Sequence, residues 1–325
     1  SDAVRVAQFL EKQGVDYFAV AYTDEGISLR ESGITIPILV LHPQVQNLDL
    51  LIAHNLEPNL YSKKIFLSFL KLLGDSDITD YPIHLKFNTG LNRLGFKASD
   101  IDFILTHLKN ETSILVKSVF SHLVASEDEN ERAFTLNQIK AFQSISVAFE
   151  SLLGYKPMLH MSNTSGILNY PEAHFDMVRL GLGLYGFAND PQTNLKLKNV
   201  LSLKSVISQI HEIEPNQSVG YNRGFISKLT MRTATIPLGH ADGFFRCLGQ
   251  GKVSVKIKDQ KAPVIGNVCM DMIMIDVTGI DCKEGDEVTI FGPELSAQAF
   301  AETANTISYE LITGISQRVK RSILS

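Results

Sequence analysis

The chain has 325 residues, 44% of them apolar, with a net charge of −5. That is room for a barrel plus a second domain, and mild acidity argues against nucleic acid as a partner, which needs a basic stripe. No segment approaches the roughly 20 apolar residues of a membrane span, Ser1–Arg5 shows no signal-peptide pattern, and Cys247, Cys269 and Cys282 form no CxxC pair, so we expect a cytoplasmic protein without disulfides or a structural metal.

Up to about residue 185, short apolar runs alternate with helical patterns. The runs are Asp16–Tyr22, Ile36–Leu41, Pro58–Ser62, Ile83–Thr89, Ile114–His122, Pro157–Asn163 and Met177–Leu184. Most are apolar on successive residues, which predicts strands buried on both faces. Helical spacing is predicted for Val4–Gln13, Asp24–Glu31, Asp100–Leu108 and Leu136–Leu153. Repeated βα units of this kind predict a parallel sheet. The count is seven strands where a (β/α)8 TIM barrel needs eight, and the chain opens on a helix. We therefore expect a TIM barrel with its first strand missing from the chain, over residues 1–198.

From residue 199 to 325 the pattern becomes a mostly β domain. Strand-like runs are Leu201–Glu214, Arg232–Leu238, Lys252–Ile257, Ala262–Val268, Met272–Val277 and Glu287–Phe291. Gly, Asp, Asn and Pro turns separate them, and one helix is predicted at Ser296–Asn305.

In such barrels chemistry gathers at the C-terminal ends of the strands, and phosphate often sits on the loops after strands seven and eight. Asn163-Thr164-Ser165-Gly166 and Gly181-Leu182-Gly183 fall there; each is either an anion-binding turn or an ordinary polar turn. Lys86, Arg93, His122 and Arg179 stand at strand ends. A lysine in an apolar run can snorkel, and a histidine after a strand can be structural. Arg179 within MVRLGLG is harder to dismiss, because a buried guanidinium needs an acceptor.

At these residues the sequence resembles the alanine racemase family. The matching stretches are His160–Gly186, Leu85–Phe96, Val219–Phe225 (VGYNRGF), Ile236–Gly243 (IPLGHADG), Val268–Thr278 and Asp16–Leu41. The resemblance implies pyridoxal 5'-phosphate (PLP) as cofactor, alanine as substrate, and a homodimer with shared active sites. It implies racemisation of L-alanine and D-alanine by two bases, supplying D-alanine for peptidoglycan. One base is a Schiff-base lysine; the other is a tyrosine of the partner subunit, which Tyr221 matches. A free phenol ionises only near pH ~10, so the tyrosine needs cationic help. His122 matches the histidine beside it and Arg179 the arginine behind. Arg179 also matches the residue facing the pyridine nitrogen. Arg93 matches the arginine near the substrate carboxylate, and Lys86 the lysine that is carbamylated in many members. Met270 and Asp271 match a substrate pocket, and Thr164, Ser165, Gly181 and Leu182 the phosphate cup.

There are departures. Thr164 stands where many members have serine, and Asn88 where an aspartate is common. His240 stands where many have tyrosine at the substrate entrance, and Gln317 where some have a phosphate-contacting tyrosine. The KANAYGHG-like segment that carries the Schiff-base lysine is absent; Lys12, Lys63 and Lys64 do not match it. We expect that segment upstream of Ser1, and an interior start is compatible with fusion behind a cell-wall ligase. A racemase for serine or another amino acid, and a non-catalytic PLP or amino-acid-binding module lacking the lysine, are the alternatives. The encoded residues before Ser1 discriminate the last of these.

Overall fold

The computed structural model describes residues 2–74, 76–188 and 197–324. The chain divides into two compact units, Ser1–Gly181 and Leu182–Ser325. Residues 189–196, close to the expected domain boundary at 198, lie outside the described residues.

The first unit alternates strands and helices. Six parallel strands, β1 (Phe18–Val20), β2 (Ile38–Val40), β3 (Glu57–Leu60), β4 (Tyr81–Lys86), β5 (Ile114–Phe120) and β6 (Met158–His160), lie side by side in chain order. Between them run α1 (Ala3–Lys12), which precedes β1, then α2 (Thr23–Glu31), α3 (Leu48–Ala53), α4 (Lys63–Gly74), α5 (Ile101–Leu108) and α6 (Arg132–Leu153). This is the sheet and helix succession of a TIM barrel. Local chemistry sets the helix ends. Asp2 caps α1 by accepting from the Arg5 N–H at 3.1 Å, satisfying one of the donors a helix start leaves orphaned. Gly154 stops α6 in a left-handed conformation at φ 74°.

The seventh run does not form a strand. Met177 makes a single parallel bridge to His160, and the Arg179 N–H donates to the Ser162 carbonyl at 3.0 Å. Past that, Gly181 opens a 310 turn over Leu182–Tyr185. The chain follows the end of β6 without building a ladder, because the turn begins within a few residues of the bridge.

The two faces of the sheet differ in kind. Ile38, Val40, Leu60, Ile83, Leu85, Val119 and Leu159 all belong to one apolar core with the helices. In strands, successive side chains point to opposite faces, and the alternate residues are Leu39, Glu57, Asn59, His84, Lys86, Ser118, Phe120 and His160. All of these are buried, six of them polar or charged. The expected double-sided apolar burial therefore holds for β2 but not for β3–β6, whose inner face carries a hydrogen-bonded network.

The second unit is a seven-stranded antiparallel sheet. Its strands are β7 (Leu203–Val206), β8 (Gln209–Ile213), β11 (Met231–Ile236), β12 (Ser254–Ile257), β13 (Gln260–Ile265), β14 (Ile273–Asp276) and β15 (Glu287–Phe291), in the order β7-β15-β12-β13-β14-β11-β8. A separate hairpin pairs β9 (Ser218–Val219) with β10 (Phe225–Ile226). The run 201–214 is thus two strands rather than one. They pair with different partners, β7 with β15 and β8 with β11. The expected single helix is two, α8 (Ala297–Thr303) and α9 (Ser308–Thr313). The second is short, and Leu311 and Ile312 fix it to the core that Phe300 and Ala301 also enter.

Phe66 of α4 is fully buried against Phe96 and Phe103. Phe66→Ala should lower the stability of the first unit by about 3–5 kcal/mol through lost transfer energy and a residual cavity. Urea unfolding followed by far-UV circular dichroism reads this as a reduced midpoint.

Candidate active site

On the inner face of the first unit, β4, β5 and β6 bring together Lys86, His122 and Arg179. Phe120 sits among them. His160 stacks on its ring with centroids 4.6 Å apart, while Lys86 Nζ and the Arg179 guanidinium carbon lie 5.8 and 5.4 Å from its centroid. A cation over an aromatic ring meets the negative face of its quadrupole.

Arg179 is the most heavily bonded side chain of the site. Nη1 donates to His160 Nδ1. Nη2 faces the Ser121 carbonyl at 2.8 Å, His122 Nδ1 at 3.0 Å and the Met161 carbonyl at 3.2 Å. Among the described residues no carboxylate lies within ion-pair distance of it, and burial pulls its pKa down to about 10. A guanidinium only donates, so both histidines must accept on Nδ1, which leaves each neutral ring with its proton on Nε2. Burial first, then Arg179, Arg93 and Lys86, push the His122 imidazolium down to about 3. His160 is lowered well below the ordinary value by the same kinds of cause.

Lys86 is buried, and burial followed by the Arg93 and Arg179 cations lowers its ammonium to about 8. Arg93 itself is exposed, on the loop after β4. Asn88 organises that loop. Its Oδ1 accepts from the N–H groups of Gly90 and Asn92 at 3.1 and 2.9 Å, and its Nδ2 donates to Asn92 Oδ1 at 2.8 Å. A β-carbon at Gly95 (φ 129°) would lie 2.6 Å from the Asn88 nitrogen, so only glycine closes the loop there. The amide that replaces an expected aspartate is therefore a loop-building residue.

The two suspected phosphate turns meet. The Gly181 N–H donates to Thr164 Oγ1 at 3.3 Å. Thr164 and Ser165, both buried, open α7 (Thr164–Asn169), whose N-cap Asn163 accepts from the Gly166 N–H at 2.9 Å. Leu182 starts the second unit and is buried in that unit's core. PLP fits this donor set: Arg179 keeps an Nε–H uncommitted among the described residues for a pyridine nitrogen, and hydroxyls and amides cluster at Thr164, Ser165 and Gly181.

The second unit groups the remaining residues. Tyr221 is 74% exposed, on a turn with positive φ at Gly220, Asn222 and Arg223. Asn267 Nδ2 ties that turn by donating to the Tyr221 carbonyl at 2.9 Å. Met270, 60% exposed, lies just beyond. Its carbonyl accepts from the Ala241 N–H at 2.9 Å, and the Cys269 carbonyl accepts from the His240 N–H at 3.0 Å. Arg318 donates to Asp242 at 2.7 Å and to Asp271 at 2.5 Å, and those bonds raise its pKa. Burial favours the neutral Asp242 carboxyl, but the bonds from Arg318 and the Gly239 N–H outweigh it and hold the pKa low. So the segments that carry Tyr221, His240, Met270 and Asp271 are tied down by Asn267, by the backbone bonds at His240 and Ala241, and by Arg318. Arg318 had no motif to mark it.

Sequence reasoning also missed Tyr17, Glu57, His84, Ser118 and His160 as a connected set. Glu57 Oε2 accepts from Tyr17 OH and His84 Nε2 at 2.7 Å each. His84 Nδ1 lies 2.5 Å from Ser118 Oγ, which lies 2.9 Å from His160 Nε2. The available signal was polar residues at alternate positions of otherwise apolar strands.

Two consequences are measurable by urea unfolding. Because folding lowers the Lys86 pKa, the unfolded chain binds more protons between pH about 8 and 10.5, and stability rises with pH across that window. Urea midpoints at pH 8 and 10 should rise more for the wild type than for Lys86→Met. Gly239→Ala should destabilise the second unit by about 1–3 kcal/mol, since its β-carbon would meet the Met270 carbonyl oxygen at 2.3 Å.

Comparison with known proteins places this arrangement. Residues 1–189 match the model of the alanine racemase N-terminal domain, and residues 200–323 that of the C-terminal domain. Alanine racemase of Halothermothrix orenii is 35% identical over 327 residues, covering 98% of this chain and 85% of that protein. Alanine racemase of Treponema denticola is also 35% identical, over 98% of this chain and 87% of that one. Among solved structures, alanine racemase of Clostridium difficile 630 superposes with a TM-score of 0.90 at 32% identity, covering 98% of this chain and 84% of the other. The enzyme of Bacillus anthracis with bound L-Ala-P gives 0.89 at 28% identity, over 98% and 83%. With both domain models spanning it and relatives aligned along nearly its whole length, this chain belongs to the alanine racemase family.

Proposed function

We propose that the protein is a PLP-dependent isomerase that interconverts L-alanine and D-alanine, a source of D-alanine for peptidoglycan. The observation that carries this reading is Arg179, a cation held by two neutral histidines and two carbonyls, with no carboxylate beside it among the described residues. When bound, PLP supplies the electron sink that acidifies the Cα–H of an amino acid.

Arg179 would hold the pyridine nitrogen as a donor that keeps its own proton. A donor that keeps its proton would leave that nitrogen unprotonated, which would weaken the electron sink and limit side reactions. Thr164, Ser165 and Gly181 would hold the phosphate. Arg93 binds the substrate carboxylate. Lys86, its ammonium lowered to about 8, is nucleophilic enough near neutrality to take up carbon dioxide. Its nitrogen forms a bond to the carbon and releases a proton, and the anionic carbamate offsets the Arg93 and Arg179 charges.

Tyr221 moves the Cα proton on one face, in the site of a second copy of the chain. Its exposure supports this, as does the neighbouring exposed Met270. His122 presents Nε2–H to the phenolate and so stabilises it. Asp271 and His240 border the substrate entrance. The opposite face belongs to the family's lysine, for which no position of this sequence is a match. No helix of the described residues is long and apolar enough to cross a membrane, and we place the enzyme in the cytoplasm as a homodimer.

The test is a D/L-alanine assay with added PLP on the protein expressed from its complete reading frame. Racemisation is expected; its absence alongside an intact PLP absorbance band would leave only a binding module. In that protein Tyr221→Phe should slow solvent-deuterium uptake at Cα by about 100-fold or more from one enantiomer and much less from the other. Equal wild-type exchange from both contradicts the assignment. With 13C-bicarbonate, a carbamate resonance should appear in wild type and vanish in Lys86→Met.

A further inference from the structure

The inner face of the first unit holds a continuous hydrogen-bonded chain across four strands: Arg179, His160, Ser118, His84 and Glu57. Every side chain between its two ends is fully buried. The ends fix the direction of every link. A guanidinium only donates, so His160 Nδ1 accepts and the neutral ring carries its proton on Nε2. Nε2–H then donates to Ser118 Oγ. The one Ser118 hydroxyl hydrogen must go elsewhere, and its other partner is His84 Nδ1 at 2.5 Å. His84 Nδ1 is therefore bare, and its proton sits on Nε2, 2.7 Å from Glu57 Oε2. The same carboxylate oxygen accepts from Tyr17 OH at 2.7 Å. Burial, followed by Glu57, raises the Tyr17 pKa, keeping that phenol a donor.

We propose that Glu57 is the counter-charge of Arg179 and a positioning residue for it, acting through an ordered His84–Ser118–His160 relay in which both histidines are neutral Nε2–H tautomers.

Several features favour this over an incidental polar core. Arg179 has no carboxylate in contact among the described residues, and a buried cation without a complement is costly. The relay delivers a negative end to it through dipoles aligned head to tail, which strengthen one another in a low-dielectric interior. A direct carboxylate would occupy the guanidinium edge and bring a proton acceptor to the cofactor side. The relay keeps the charge on β3, with β4 and β5 between it and β6, while locking Nη1 in place. The neighbouring Nη2 then faces His122 and two carbonyls. The effect on racemisation rests on the function proposed above; the tautomers do not.

The direct test is 15N NMR of histidine-labelled protein at pH 7–9, with Ser118→Ala and His84→Gln used for assignment. His84 and His160 should each show a protonated Nε2 and a bare Nδ1. A doubly protonated ring, or an Nδ1–H tautomer, at either position overturns the proposal whether or not the enzyme racemises. The kinetic test is a double-mutant cycle in the PLP-loaded enzyme. Glu57→Gln keeps an acceptor for Tyr17 and His84 but removes the charge, and Ser118→Ala cuts the relay. Each should lower kcat about tenfold with KM within about twofold, and the pair should lose no more than either alone. Glu57→Asp, which keeps the charge, should retain more activity than Glu57→Gln. Additive losses, or equal losses in the Asp and Gln variants, mean that Glu57 only packs.

Discussion

The geometry of the first unit turns on one guanidinium. Arg179 reaches the inner face of the parallel sheet just past the single bridge between Met177 and His160. It must satisfy several N–H donors where little water is available, and unmet donors there cost more than any single bond returns. The sequence around it supplies acceptors in kind: carbonyls at the ends of β5 and β6, and two imidazole nitrogens. Those acceptors in turn fix the tautomers of His122 and His160. One residue thus sets the donor and acceptor pattern of the whole inner face.

That pattern explains why the strands are not uniformly apolar. Helices cover one face of the sheet, and Ile83, Leu85, Val119 and Leu159 pack into their core. The alternate positions hold Glu57, His84, Lys86, Ser118 and His160. Stability comes chiefly from the first set, by removal of apolar area from water. Chemistry comes from the second, whose burial is tolerated because its members bond to one another. Lys86 is the exception. It has cations and an aromatic ring for neighbours, and burial with the Arg93 and Arg179 charges lowers its pKa.

The second unit solves a different problem, holding exposed side chains rigidly. Tyr221 stands in water, yet left-handed residues on either side and the Asn267 bond leave its backbone little freedom. Met270 and His240 are braced by backbone bonds between their segments, and Asp271 by Arg318. Such bracing orders exposed side chains that would otherwise sample many conformations.

The sequence alone determined the alternation of strands and helices, the shift to a β domain, and the motifs that mark the family. Those signals are local: periodicity, turn residues and short strings such as VGYNRGF. It placed Lys86, His122 and Arg179 at strand ends, where barrel chemistry gathers. Tertiary structure decided what local pattern cannot encode. Whether Met177–Leu184 is a strand depends on how far it tracks β6, and whether Leu201–Glu214 is one strand or two depends on which neighbours it pairs with. That Glu57 and Arg179, 122 positions apart in the chain, end one hydrogen-bonded chain depends on the register of four strands. Register is a long-range property, settled only when the faces of all the strands are buried together.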